Sequence, residues 1–143
     1  MAAFLANQFF WLPVLAWAIA QVLKVVTDSI SRRRLSLRSL GLSGGMPSSH
    51  TAMTVCLATV IARRVGPGSA LFAGVAVLTV VVIYDATGVR RAAGQQGMIL
   101  NQVLDDLRQH LGLRYERLRQ FLGHTPVEVL AGIALGILVG MLG

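Results

Sequence analysis

Apolar residues gather in four runs along the chain, separated by polar stretches, a pattern typical of a helical membrane bundle. A helix needs roughly 20 mainly apolar residues to cross the hydrocarbon core of a bilayer. We predict spanning helices in the first, third and fourth runs. The second is shorter, so it forms either a buried core helix or a span whose terminal arginines snorkel to the far surface. The runs cover residues 4–26, 50–62, 69–84 and 127–142.

The long polar stretch 88–123 contains a second kind of pattern. Its apolar residues recur at helical spacing with charged residues between them, which predicts an amphipathic helix that lies on the membrane surface or caps the bundle. These residues are Met98, Leu100, Val103, Leu104, Leu107 and Leu111, and a second short helix is predicted through Tyr115, Leu118 and Phe121. The predicted fold is all-α: one domain, residues 1–143, with about four spanning or core helices plus this amphipathic helix.

Composition supports a membrane protein. Of the 143 residues, 55% are hydrophobic and only 13% are charged, against roughly 25% charged in soluble domains. The mean hydropathy is +0.66, which excludes a disordered chain, a coiled coil and most small soluble domains. The net charge is +7, but the basic residues lie between the apolar runs. We therefore expect anionic lipid head groups as partners and no nucleic acid.

Four crossings would bring the polar ends of the runs to one membrane face. The end of the first run, the start of the second, the end of the third and the start of the fourth would share that face. By the positive-inside rule it is cytoplasmic, in the cell or inner membrane. Its basic residues are Lys24, Arg32, Arg33, Arg34, Arg38, Arg90, Arg91, Arg108, Arg114, Arg117 and Arg119, against Arg63 and Arg64 on the other face.

The polar residues predicted to meet on this face suit a phosphate group. Lys24, Arg90 and Arg91 supply charged donors. Ser48 and Ser49 follow a proline at a helix start, where hydroxyls, free backbone N–H groups and the helix dipole favour an anion. Ionisable groups near a bilayer are costly and usually functional, so we predict an anion site.

Two histidines could carry out chemistry at such a site. His124 and Glu128 lie one helical turn apart, so the carboxylate could hold one imidazole nitrogen and leave the other free as a nucleophile. His50 would supply a second imidazole, suited to protonating a leaving oxygen. We expect no metal and no cofactor, because no HExxH-type spacing is present.

Each residue also has a purely structural interpretation. Ser48 could be an ordinary helix N-cap, and Lys24 could simply snorkel. Asp85 could pair with one of the arginines after it as structural support for the end of the third helix. Thr125 and Glu128 have the spacing of a capping box.

Three blocks of sequence together resemble a known family. GGMPSSHTA, YDATGVRRAAGQQ and LGHTPVEVLAG are similar to the divergent branch of the type 2 phosphatidic acid phosphatase and vanadium haloperoxidase superfamily, over residues 7–140. The resemblance implies a metal-independent reaction through a phosphohistidine. By position it assigns the nucleophile to His124, its orienting carboxylate to Glu128 and the acid to His50. It further implies a phosphate cradle at Lys24, Ser48 and the Ser49 amide.

The sequence departs from the superfamily pattern at four positions. The superfamily's second arginine, after the lysine, has no clear match here, and Arg32 is nearest. Ser49 stands where the superfamily has glycine, and Glu128 replaces aspartate. The superfamily's arginine six residues before the nucleophile is Leu118 here, so we expect Arg90 or Arg91 to replace it.

Two functions follow as hypotheses. The first is a membrane phosphatase that hydrolyses a lipid phosphate, such as phosphatidate or a polyprenyl phosphate or diphosphate, through a phosphohistidine. The alternative is an inactive membrane protein that binds anionic lipid head groups or serves as a transport or scaffold subunit. Gly132, Gly136 and Gly140 repeat every four residues, which suits either close packing inside the bundle or a homodimer.

Overall fold

The computed structural model describes residues 7–33, 45–111 and 123–143. Every regular element within these ranges is a helix, which confirms the all-α prediction. The predicted short helix through Tyr115, Leu118 and Phe121 lies outside the described residues. The helices are α1 (Gln8–Arg32), α2 (Ser49–Arg64), α3 (Ala70–Thr87), α4 (Val89–Leu111) and α5 (Pro126–Gly140).

Two stretches are long and apolar enough to cross a membrane, Gln8–Ile30 in α1 and Ala70–Leu107, which runs from α3 into α4. These agree with the spans predicted in the first and third runs. The fourth run forms α5, a shorter apolar helix of 15 residues, below the roughly 20 residues of an untilted span.

Helix α2 is the centre of the bundle and packs against α1, α3 and α5. Along its length Ala52, Cys56 and Val60 are fully buried, and the core that they join includes Ala16 of α1 and Val139 of α5. Of the two alternatives for the second apolar run, the structure therefore shows the buried core helix. Cys56 is a buried free cysteine in this core.

The bundle is antiparallel, and the predicted polar ends do meet. Hydrogen bonds fasten them together: Thr27 Oγ1 donates to the Met46 carbonyl at 2.9 Å, Ser48 N–H to the Glu128 carbonyl at 2.9 Å, and His124 N–H to the Ala86 carbonyl at 3.0 Å. At the opposite end the Arg63 guanidinium donates to the Met141 carbonyl. The end of α1, the start of α2, the end of α3 and the start of α5 therefore lie together.

The glycines of α5 face α2. A Cβ at Gly132 would lie 2.6 Å from the carbonyl oxygen of Ser48, and one at Gly136 would lie 2.7 Å from that of Ala52. Only glycine permits this approach, so the repeat serves packing inside the bundle. The homodimer stays a prediction, without this helix face to support it.

Helix α4 leaves the bundle and packs chiefly against the end of α3. The junction is Gly88, whose N–H still donates to the Tyr84 carbonyl at 2.8 Å. The apolar residues Met98, Leu100, Val103 and Leu107 are exposed. The amphipathic helix is confirmed, and its exposed apolar face favours a position on the membrane surface over a cap on the bundle.

Candidate functional site

A cavity of about 80 Å³ opens at the polar end of the bundle. This is well above the roughly 10–15 Å³ that admits one water molecule. Its walls combine two imidazoles, an arginine, a carboxylate and two small apolar side chains. The lining residues are His50, Val82, Asp85, Ala86, Arg90 and His124.

Four separate pieces of the chain supply these walls. His50 lies in the first turn of α2, Asp85 in the last turn of α3 and Arg90 in the first turn of α4. His124 precedes α5, and its backbone N–H donates to the Ala86 carbonyl at 3.0 Å. That bond ties the start of α5 to the end of α3 and places the two histidines, far apart in sequence, on one cavity.

Arg90 is the arginine that reaches the cavity. Its Nε donates to the Asp85 carboxylate at 2.5 Å, and both side chains are partly exposed. Arg91 is exposed and does not line the cavity among the described residues. Of the two candidates for the replacement arginine, the structure brings Arg90 to the histidines, and the predicted pairing of Asp85 with an arginine is confirmed.

Lys24 does not line the cavity among the described residues, but it lies close to it. It is only 5% exposed, and its charge is close enough to act on both imidazoles and on Glu128. The backbone of Gly45, at φ +96°, covers the lysine stem, and a Cβ there would lie 2.9 Å from Lys24 Cε. The lysine is therefore held in place close to the site.

Ser48 and Ser49 differ from the prediction. Ser48 is fully buried, its Oγ lies 2.9 Å from the Thr51 hydroxyl, and its N–H is bonded to the Glu128 carbonyl. It makes no side-chain cap bond to α2, and neither serine lines the cavity among the described residues. Ser48 therefore joins α2 to α5 through its N–H, and its role in a phosphate cradle stays a prediction.

Glu128 also differs from the prediction. Its Oε2 accepts a hydrogen bond from Thr125 N–H at 3.0 Å, and Thr125 Oγ1 accepts one from Glu128 N–H at 3.4 Å. This is the capping box given as the structural alternative. His124 Nδ1 is buried and has no hydrogen-bond partner among the described residues. The predicted bond from His124 to the Glu128 carboxylate is therefore wrong for this structure.

The environment of His124 favours the neutral imidazole. Burial lowers the pKa of His124, and the charges of Lys24, His50 and Arg90 lower it further, whereas Glu128 acts in the opposite direction. A neutral imidazole keeps an unprotonated nitrogen, which a nucleophile requires.

The sequence reasoning missed Gly123. A Cβ at this position would collide with the backbone of Arg90 and Arg91, so a glycine is needed where the segment before α5 crosses the start of α4. The sequence signal that could have identified Gly123 is its position directly before His124. Among the described residues no group of three or more histidine, cysteine, aspartate or glutamate side chains could hold a metal ion.

Comparison with known proteins decides the family. The sequence profile of the divergent PAP2 family matches residues 5–139. The chain belongs to this family. A divergent PAP2 family assignment relates the chain to membrane phosphatases and confirms the resemblance seen in the three sequence blocks.

A relative of this chain is described as a membrane protein. An uncharacterised membrane protein of Bacillus subtilis (strain 168), YuiD, is 37% identical over 131 residues, covering 84% of this chain and 83% of that protein. No solved structure matches this chain.

Proposed function

We propose that this chain is a metal-independent membrane phosphatase that hydrolyses a lipid phosphate, of the phosphatidate or polyprenyl phosphate or diphosphate class. One observation carries the proposal: His50, His124 and Arg90 line a single cavity at the polar end of a bundle with apolar helices. A phosphate head group would occupy the cavity while the acyl or prenyl chain stays in the bilayer.

The proposed reaction has two steps. A ring nitrogen of His124 attacks phosphorus, the bond from phosphorus to the ester oxygen breaks, and His50 transfers a proton to the leaving oxygen. Water then attacks the phosphohistidine, the phosphorus–nitrogen bond breaks, and inorganic phosphate leaves. Arg90 and Lys24 stabilise the charge on the phosphoryl oxygens.

Purified protein in detergent tests this proposal. Wild type should release inorganic phosphate from dioleoyl phosphatidate or from a polyprenyl diphosphate, and His124→Ala should abolish the release. The matched control is His110→Ala, because His110 is an exposed histidine on α4 to which we assign no role. Equal phosphate release by His124→Ala and wild type would contradict the proposal.

A second candidate function is the binding of anionic lipid head groups without turnover. It is favoured by the missing hydrogen bond between His124 and the Glu128 carboxylate, since an unoriented imidazole is a poorer nucleophile. Acid quenching during turnover discriminates the two candidates. A ³²P-labelled phosphohistidine supports the phosphatase, whereas retained lipid phosphate with no phosphohistidine and no release of phosphate supports the binding protein.

We propose that the cavity faces the cytoplasm. The described basic residues Lys24, Arg33, Arg90 and Arg91 belong to the polar end, and Arg63 and Arg64 to the opposite end, which supports this orientation by the positive-inside rule. The test uses His110→Cys and Arg64→Cys, each in a Cys56→Ser background, and a membrane-impermeant maleimide. The cysteine at 64 should react when the reagent is added outside intact cells, and the cysteine at 110 should react only when the cytoplasmic side is accessible. The reverse labelling would contradict the orientation.

A further inference from the structure

The ion pair between Asp85 and Arg90 spans the junction of α3 and α4. Asp85 lies in the last turn of α3 and Arg90 in the first turn of α4, with Gly88 between them. Both side chains line the cavity that holds the two imidazoles. By its charge alone, the Asp85 carboxylate would oppose the binding of an anion in this cavity.

The geometry of the ion pair explains why Asp85 can lie there. Asp85 Oδ2 accepts from Arg90 Nε at 2.5 Å. Within residues 7–33, 45–111 and 123–143, neither terminal nitrogen of Arg90 has a hydrogen-bond partner. A guanidinium held at Nε still offers its two terminal N–H₂ groups, which match two oxygens of a phosphoryl group.

We propose that Asp85 is a positioning residue that holds Arg90 with its terminal nitrogens toward the phosphate site. Asp85 does not touch the phosphate and acts only through Arg90. It also keeps the arginine's charge compensated while the cavity is empty. Without Asp85, the long and partly exposed side chain of Arg90 would lose rotamer order and would have to be fixed anew each time an anion binds.

This inference rests on the proposed function, because it assumes that the cavity takes a phosphoryl group. It makes a distinct demand, which is that Asp85 and Arg90 act as one unit. The loss of affinity caused by removing Asp85 must therefore disappear once Arg90 is gone, where only the repulsion between the carboxylate and the anion remains. A carboxylate that merely closes the α3–α4 junction would affect both backgrounds equally.

A double-mutant cycle tests this demand, with orthovanadate as a phosphate-like probe. We measure its dissociation constant by calorimetry, and kcat and KM wherever turnover is present. Arg90→Ala should weaken vanadate binding by about 100-fold, in line with the loss of one anion-stabilising donor. Asp85→Ala should weaken it by about tenfold, the effect of roughly 1.4 kcal/mol. The double variant should bind vanadate at least as tightly as Arg90→Ala does.

Further variants separate positioning from folding. Asp85→Asn keeps the shape and an acceptor oxygen, so it serves if Asp85→Ala does not fold. Asp85→Glu should recover part of the lost affinity because it restores the charge. Asp106→Asn, an exposed aspartate on α4, is the matched control and should bind vanadate as wild type does. Thermal unfolding of each variant checks that folding is intact.

Each outcome decides the matter. Equal weakening by the Asp85 substitution with and without Arg90 would overturn the positioning role while leaving the proposed function intact. Wild-type protein that neither binds vanadate nor releases phosphate would overturn the proposed function and this inference with it. Loss of the Asp85 effect in the Arg90→Ala background, together with recovery in Asp85→Glu, would support it.

Discussion

The backbone N–H of Ser48 donates a 2.9 Å hydrogen bond to the carbonyl oxygen of Glu128. This bond joins the start of the central helix α2 to the first turn of α5. His50 and His124 lie two residues after Ser48 and four residues before Glu128, respectively. The bond therefore fixes the distance between the backbones that carry the two imidazoles of the cavity.

Gly132 is required for this junction. In Gly132→Val the new Cβ would lie 2.6 Å from the Ser48 carbonyl, so α5 must move away from α2. We expect the free energy of unfolding to fall by about 1–3 kcal/mol, the usual effect of overpacking, together with weaker phosphate release. Thermal unfolding in detergent measures the loss. Ala134→Val, on an exposed position of α5, is the control, and an equal loss there would contradict the packing argument.

Gly45 controls the position of Lys24. Gly45→Ala places a Cβ 2.9 Å from Lys24 Cε at a backbone φ of +96°. We expect the lysine to shift and the KM for a lipid phosphate to rise. Gly66→Ala is the matched control, because Gly66 has φ +106° but open space around it. Both variants carry a backbone strain of about 1–2 kcal/mol, but only Gly45→Ala should raise KM, and a similar rise in both would refute the role of Lys24.

The loss of stability at acidic pH should depend on His124. Burial lowers its pKa in the folded protein, so the unfolded chain, with a histidine pKa near 6.5, takes up the proton first. The contribution of His124 to stability is complete above about pH 6.5 and is lost as the pH falls toward the folded pKa. His124→Asn should flatten the decline of unfolding temperature between pH 7 and 5 relative to wild type. His110→Asn should leave that decline as it is, and identical curves for wild type and His124→Asn would contradict this.

Glu128 should have two separable effects. Glu128→Gln retains an oxygen that accepts from Thr125 N–H, so we expect the capping box to persist and stability to change by less than about 0.5 kcal/mol. Of the charged groups that act on His124, Glu128 is the one that raises its pKa, and the substitution removes that charge. The pKa of His124 should therefore fall further, as measured by NMR titration of ring-labelled histidine. Thr125→Ala removes the other half of the capping box. It should lower the free energy of unfolding by about 1 kcal/mol, and the pKa of His124 should stay below its usual value. A rise in the pKa of His124 in Glu128→Gln would contradict this assignment.

The topology could be predicted because apolar runs fix the depth of each helix end. That rule alone placed His50, Asp85, Arg90 and His124 at one end of the bundle, as the structure has them. The central position of α2 could not be decided, since a short apolar run suits either a buried helix or a snorkelling span.

The details of the site that could not be predicted from the sequence depend on local hydrogen bonds. The i, i+4 spacing of His124 and Glu128 fits both a dyad and a capping box, and the Thr125 N–H decides for the box. Likewise, a serine at a helix start offers its N–H to an anion only if no carbonyl is nearer, and the Glu128 carbonyl takes the N–H of Ser48. Such competition between nearby partners depends on distances that spacing does not give.

Arg90 belongs to α4 by its backbone and to α3 by its ion pair with Asp85. Since α4 exposes an apolar face outside the bundle, a bilayer surface that covers this face would set the orientation of the helix. Reorientation of α4 about the Gly88 junction would then move the Arg90 guanidinium at the cavity. On the proposed function, lipid packing would in this way bear on the phosphate site.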